Sequence, residues 1–171
     1  MAVTQQLARI PAPQLSDCRD SAAELDKLCS FRSAPSADYL DLNWWPNTLK
    51  RTWALIGVDA QSLEVLHRGF DGVEEVNPAY RDHPNTIFEH PVTALEPDQV
   101  AEVANALRAI TPERVHAAVP VQRDEAAAAL GASVRDVVGD LAALLSEQHD
   151  ILRNFYDEAA HRRLAMVMWW D

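Results

Sequence analysis

From Ser133 onward, apolar residues recur at the spacing of one helical face: Val134, Val137, Val138, Leu141, Leu144, Leu145, Ile151, Leu152, Phe155 and Tyr156. At 3.6 residues per turn this stripe predicts one helix of about seven turns, beginning at Ser133. The chain then runs LAMVMWWD, and its unbroken apolar stretch from Leu164 to Trp170 predicts a buried strand.

The rest of the chain reads as shorter elements of both kinds. Val3 to Ile10 alternates in the manner of an edge strand. PAPQLSDCRD begins with proline at a helix's first turn, where its missing N–H costs nothing. Ser21 with Glu24 three residues later matches a capping box, ahead of a face formed by Ala22, Leu25, Leu28 and Cys29. Residues 33–38 read as a loop. Leu40 and Leu42 alternate with Asp41, and Pro46 then opens a helix that places Leu49, Trp53 and Ile56 on one face and closes at Gly57. A further helix is expected over 59–70, and residues 71–85 carry turn chemistry. The stretch 86–95 predicts a strand interrupted at Pro91, which favours an edge or a bulge. Helices are expected from Pro97, from Pro112 behind a Thr111 cap, and through the alanine-rich run that ends at Gly131. Together these elements predict an α+β fold over 1–171, mostly helical, as a single domain packed around a small sheet that includes the N-terminal and C-terminal strands.

A chain of 171 residues suits one well-buried domain. No run of about 18 apolar residues is present to span a membrane, and the N-terminus lacks the basic start and apolar core of a signal peptide. The expected compartment is the cytoplasm, where Cys18 and Cys29 read as two reduced thiols. The net charge is −11 and is unevenly spread: residues 1–60 carry six Lys/Arg and seven Asp/Glu, residues 61–171 nine and nineteen. A field of that sign repels phosphate backbones, so nucleic acid is not an expected partner, whereas a basic protein is.

Motifs that carry chemistry are missing. No histidine pair has HExxH spacing and no CxxC occurs. His83, Glu89 and His90 lie close in sequence, but nothing fixes their geometry, and no metal or cofactor is expected. With five glycines there is no P-loop, Rossmann fingerprint or nucleophile elbow, so the chain leans towards a non-enzyme, with the question of activity left open by its motifs. The tryptophans carry more information. Trp44, Trp45, Trp53, Trp169 and Trp170 fall in two places. Neighbours in a strand point to opposite faces, so one member of each pair can line a groove or interface while the other packs inside.

DYLDLNWWPNTLKRTWALIG, TALEPDQVAEVANALRAIT and LLSEQHDILRNFYDEAAHRRLAMVMWWD, in this order, resemble the YfbM-like family, domain of unknown function 1877. The family pattern has an LDLDK-W lead into a helix, an LTPEQV helix, and an FY-AA helix followed by an apolar C-terminal strand. Asp38–Leu42, Leu95–Ile110 and Leu152–Asp171 carry that pattern here. Members often show WHGLH in the first helix where this chain has WWPNTLK, and residues 70–90 match little. The resemblance implies an α+β domain and supplies no activity.

The leading expectation is a non-enzymatic binding protein, an antagonist of a basic partner such as a toxin, acting as monomer or homodimer. The alternative is a small-molecule enzyme or sensor with a tryptophan-lined pocket. Asp41, Trp44, Trp45, Glu89, His90 and Trp170 are the candidate contact residues for either. A deep pocket holding Asp41 and a histidine would favour the enzyme, and a flat acidic face beside an exposed tryptophan the binder.

Overall fold

The computed structural model describes residues 4–84 and 90–171. Its centre is the pair formed by the first and last strands, β1 (Gln5–Ile10) and β5 (Ala165–Trp170), antiparallel with Leu7 opposite Met168 and Ile10 opposite Ala165. β2 (Tyr39–Asp41) flanks β1, while β4 (Thr93–Leu95) and then β3 (Glu74–Glu75) extend the sheet beyond β5. The order is β2-β1-β5-β4-β3, and each neighbouring pair is antiparallel.

Both faces of this sheet are covered, which explains why β5 reads as a continuous apolar run. Leu7, Met166 and Met168 face the larger core, where six helices contribute. These are α3 (Trp45–Ile56), α4 (Ala60–Asp71), α5 (Pro97–Arg108), α6 (Pro112–Ala118), α7 (Arg123–Leu130) and α8 (Leu141–His161). Ala8, Ile10, Ala165, Val167 and Trp169 face a second core shared with α1 (Ala12–Asp20), α2 (Ala22–Cys29) and a 3-10 turn over Pro78–Asp82. The expected α+β domain, mostly helical and built on its terminal strands, is the observed fold.

Local sequence accounts for most boundaries. Ser21, Asp59, Thr111 and Asp140 each accept the backbone N–H three residues on, capping α2, α4, α6 and α8. Gly57 closes α3 at a φ of 81°, a left-handed conformation that a glycine adopts without steric penalty.

Four expectations require correction. β1 is not an edge strand, because β2 and β5 both bond to it. Its glutamines look solvent-facing in sequence, yet Gln5 and Gln6 are buried with their amides bonded to the Phe70 carbonyl and to Thr4. The described part of the strand expected over 86–95 is β4, beyond Pro91, and it lies between β5 and β3 rather than at an edge. The remainder of that stretch, residues 86–89, falls outside the described residues. The loop 33–38 closes in a 3-10 turn, Ser36–Asp38, that carries Asp38 into the interior. The long helix does not begin at Ser133. Residues 132–136 form a 3-10 turn, Gly139 takes a φ of 99°, and Asp140 caps a helix that starts at Leu141. The apolar spacing ran through this break, so periodicity alone hid it, and Val138 is left 91% exposed.

Buried polar groups tie the layers together. Asp38 receives Arg9 Nε at 2.6 Å and Arg162 at 2.7 and 3.2 Å, joining β1, the 3-10 turn and the end of α8. Arg9 also lies 4.5 Å above the Phe155 ring. Inside the larger core, Trp53 stacks on Phe70 at 5.3 Å. The Trp53 indole donates to His149 Nδ1 at 3.2 Å, and His149 Nε2 lies 2.9 Å from the Ile110 carbonyl.

Candidate functional site

The structure separates the candidate residues into two places. Trp44 occupies the cap position of α3, one residue beyond the point where Asn43 N–H donates to Asp41 Oδ1 at 2.7 Å. Asn43 itself has a φ of 50°, so the chain turns sharply between β2 and the helix. Beyond that turn the two indoles stay in contact but differ in burial. Trp45 is buried beside Leu42 and Leu49 in the larger core, while Trp44 remains 52% exposed, their ring centres 5.9 Å apart.

Trp44 forms one wall of a surface groove of about 530 Å³, completed by Trp45, Ser133, Asp136, Val137, Val138 and Leu144. A second hollow of about 480 Å³ lies across Val137, between the α6–α7 connection and the start of α8, and includes Val119, Val121, His116 and Asp140. Exposed valines at both positions 121 and 138, together with Trp44, give this side of the molecule a concentration of water-facing apolar surface. The segment 121–140 carries Arg123 and Arg135 against Asp124, Glu125, Asp136 and Asp140. Asp41 stands exposed at the foot of Trp44 and lines neither hollow.

The second place lies at the far end of α4. Trp170 is the last residue of β5, directly opposite Gln5, and His90 sits against its ring at 5.3 Å. Its neighbour Trp169 points through the other face into the second core, near Tyr39 and Phe31, as strand alternation requires. Trp170 and His90 share a small cavity of about 150 Å³ with Gln5, Phe70, Asp71, Pro91, Thr93 and Met168. Lys50 from α3 reaches Asp71 at 2.6 and 2.9 Å. Burial and the Lys50 charge hold the nearby His67 imidazole below its ordinary pKa, so it favours the neutral form. Glu89 lies outside the described residues.

Neither cysteine is set up as a nucleophile. Burial, with the Glu24 and Asp17 charges, pushes the Cys18 thiol up to about 11, and burial pushes the half-buried Cys29 thiol higher still. Among the described residues, no group of three or more His, Cys, Asp or Glu side chains is placed to hold a metal ion. No helix among them is long and apolar enough to cross a membrane.

Sequence reasoning singles out the tryptophans and does not point to Val137, Val138, Gln5 or Asp71, which line the same hollows. The two valines fit the spacing of a helical face, and only the Gly139-Asp140 pair signals the break that exposes Val138. Gln5 and Asp71 are brought together by packing of α4 on the sheet, 66 residues apart in the chain, and no local pattern marks them.

A five-stranded antiparallel sheet with helices on both faces, an exposed indole on one side and no catalytic constellation among the described residues defines a structural class without defining an activity. The chain belongs to the family described as domain of unknown function DUF1877, which it matches over residues 21–169. Its fold is similar to that in the crystal structure of YfbM from Escherichia coli, a protein of unknown function. The TM-score is 0.59 at 12% identity, covering 98% of this chain and 99% of that one. At that identity the likeness concerns the fold alone. Comparison with curated proteins gives no match.

Proposed function

We propose that the protein is a binding module whose Trp44–Val138 face docks a protein partner with an apolar anchor and a basic rim. The observation that carries this reading is the half-exposed Trp44 at the mouth of a groove walled by Val137 and Val138. Tryptophan held in water is unfavourable in a free monomer and is enriched at the centres of interfaces. Charge selects the partner. The chain carries −11 overall, and the segment that forms the groove's far wall carries twice as many acids as bases. Such a field attracts a basic surface and opposes apposition of a second copy. The small-molecule alternative needs Asp41 and a histidine in one deep cavity. Asp41 lines none of the described cavities, and the groove at Trp44 contains no histidine.

The test combines three proteins: the wild type, Trp44→Ala and Asp136→Lys. Each is measured by size exclusion and used as bait at low and at high salt. A monomer that retains a basic partner at low salt, and loses it with either substitution and with salt, supports the reading. Retention by Trp44→Ala, or elution of the wild type as a dimer with Trp44 protected from acrylamide quenching, overturns it.

A further inference from the structure

We propose that the cavity between the end of α4 and the end of the sheet, walled by Gln5, Phe70, Asp71, His90 and Trp170, binds a small cation. The fitting chemistry is a guanidinium or primary ammonium head, carried by a free small molecule or by a side chain of another protein. This site shares no residue with the Trp44 groove, and the inference stands independently of that docking face.

Three observations converge on positive charge. The first is the polarity of the walls. α4 ends here, and the carbonyls of Phe70 and Asp71 accept from Gln5 Nε2 at 2.5 Å and from Thr93 Oγ1 at 2.9 Å. The last turn of a helix carries partial negative charge and favours cations. The Nε2 bond also fixes the orientation of the Gln5 amide, which leaves Oε1 as a buried acceptor with no hydrogen-bond partner among the described residues. Asp71 adds a carboxylate. That oxygen is closed to solvent, so its uncompensated negative dipole acts on an occupant of the cavity through space and not by a direct hydrogen bond.

The second is the aromatic lining. Phe70, His90 and Trp170 surround the space, and an indole face is the strongest aromatic partner for a cation. The third is that the protein already places a cation against two of these walls. Lys50 Nζ bonds both Asp71 oxygens and lies 5.8 Å from the Phe70 ring centre. The local field therefore accepts an ammonium, and Lys50 is the competitor that a ligand must displace from Asp71. The volume of about 150 Å³ suits a head group of a few heavy atoms and is too small for a nucleotide or sugar.

The experiment is a titration of the full chain followed by two-dimensional amide and indole NMR, with methylguanidinium chloride as probe. Sodium chloride at matched ionic strength and urea, the neutral planar analogue, serve as controls. The Trp170 indole and the Gln5 side-chain amide are expected to shift with methylguanidinium at concentrations where neither control moves them. Asp71→Asn, a change at an exposed carboxylate, weakens binding about tenfold, the scale of one charge-assisted hydrogen bond. Lys50→Met tightens it several-fold by removing the internal competitor. A parallel titration with acetyl-arginine-amide separates the sources: binding of both probes supports access for a side chain, and binding of methylguanidinium alone supports a free small molecule. No shift with methylguanidinium, equal shifts with urea, or no tightening in Lys50→Met overturns the proposal, and the cavity then holds solvent alone.

Discussion

Among single residues, His149 gives the sharpest prediction. The Trp53 indole can only donate, so Nδ1 must be the acceptor and the ring is the neutral tautomer with its proton on Nε2, facing the Ile110 carbonyl. A second proton has no acceptor at Nδ1 and would break the Trp53 bond. Burial holds the folded-state pKa below the ordinary 6.5, although the bond to Ile110 opposes the shift. The sign follows by linkage. Above 6.5 both states are neutral at this site and it contributes no pH dependence. Below 6.5 the unfolded chain takes up a proton that the folded chain refuses, so stability falls until the folded pKa is reached. His149→Leu reduces that slope in a series of urea melts between pH 7 and 5, leaving the share that the lowered His67 contributes. It also lowers stability at pH 7, because the Trp53 N–H and the Ile110 carbonyl each lose a partner at about 1–3 kcal/mol per group. A melt series whose slope is unchanged by the substitution would place the pH dependence elsewhere.

For an element, the start of α8 is the instructive case. The apolar spacing from Val134 to Tyr156 is continuous, and it misplaces the start of the helix by eight residues because hydrophobic periodicity reports a face and not a break. The break is written in two residues, Gly139 in a left-handed conformation and Asp140 accepting from Ala143 N–H at 3.0 Å. Asp140→Ala removes that cap and costs about 1 kcal/mol, readable as a lower melting temperature with native helix content retained at 25 °C. The same contrast runs through the molecule. Helices with caps, prolines at their first turn and amphipathic faces were legible, as was β5 from its unbroken apolar run. The place of β1 in the sheet was not, because its buried glutamines imitate a surface strand and their partners, the Phe70 carbonyl among them, are supplied by distant packing. The candidate residues were legible one by one. That Trp44 and Trp170 belong to different hollows, with Val138 beside one and Asp71 beside the other, depends on how α8 begins and α4 ends.

Across the whole molecule, stability depends on long-range ties of the kind Asp38 makes. Its carboxylate holds Arg9 and Arg162 together, linking the second core's strand to the end of the longest helix. The two guanidinium groups hold its pKa below the ordinary 3.8. This stabilisation is present above that value and fades as pH falls through the lower, folded-state pKa. Asp38→Ala leaves Arg9 largely buried with only carbonyls and the Phe155 ring as partners, and the expected cost is about 3 kcal/mol. The measurement is a denaturant midpoint shift with unchanged slope. A negligible shift would show that solvent replaces the carboxylate without loss.

The pairing of the first and last strands has a consequence for how the protein is made. Thr4 and Asp171 exchange backbone hydrogen bonds at 2.8 and 2.9 Å, so the two most distant described segments of the chain are neighbours at the middle of the sheet. During synthesis β1 leaves the ribosome well before β5 and has no β5 to pair with until residue 170 has emerged. The helices between can form their own backbone turns as they appear, although α5 and α6 pack chiefly on α8 and so settle late as well. The sheet that carries both cores must wait for β5, and until then Leu7, Ala8 and Ile10 are unpaired cargo that a chaperone is well placed to hold.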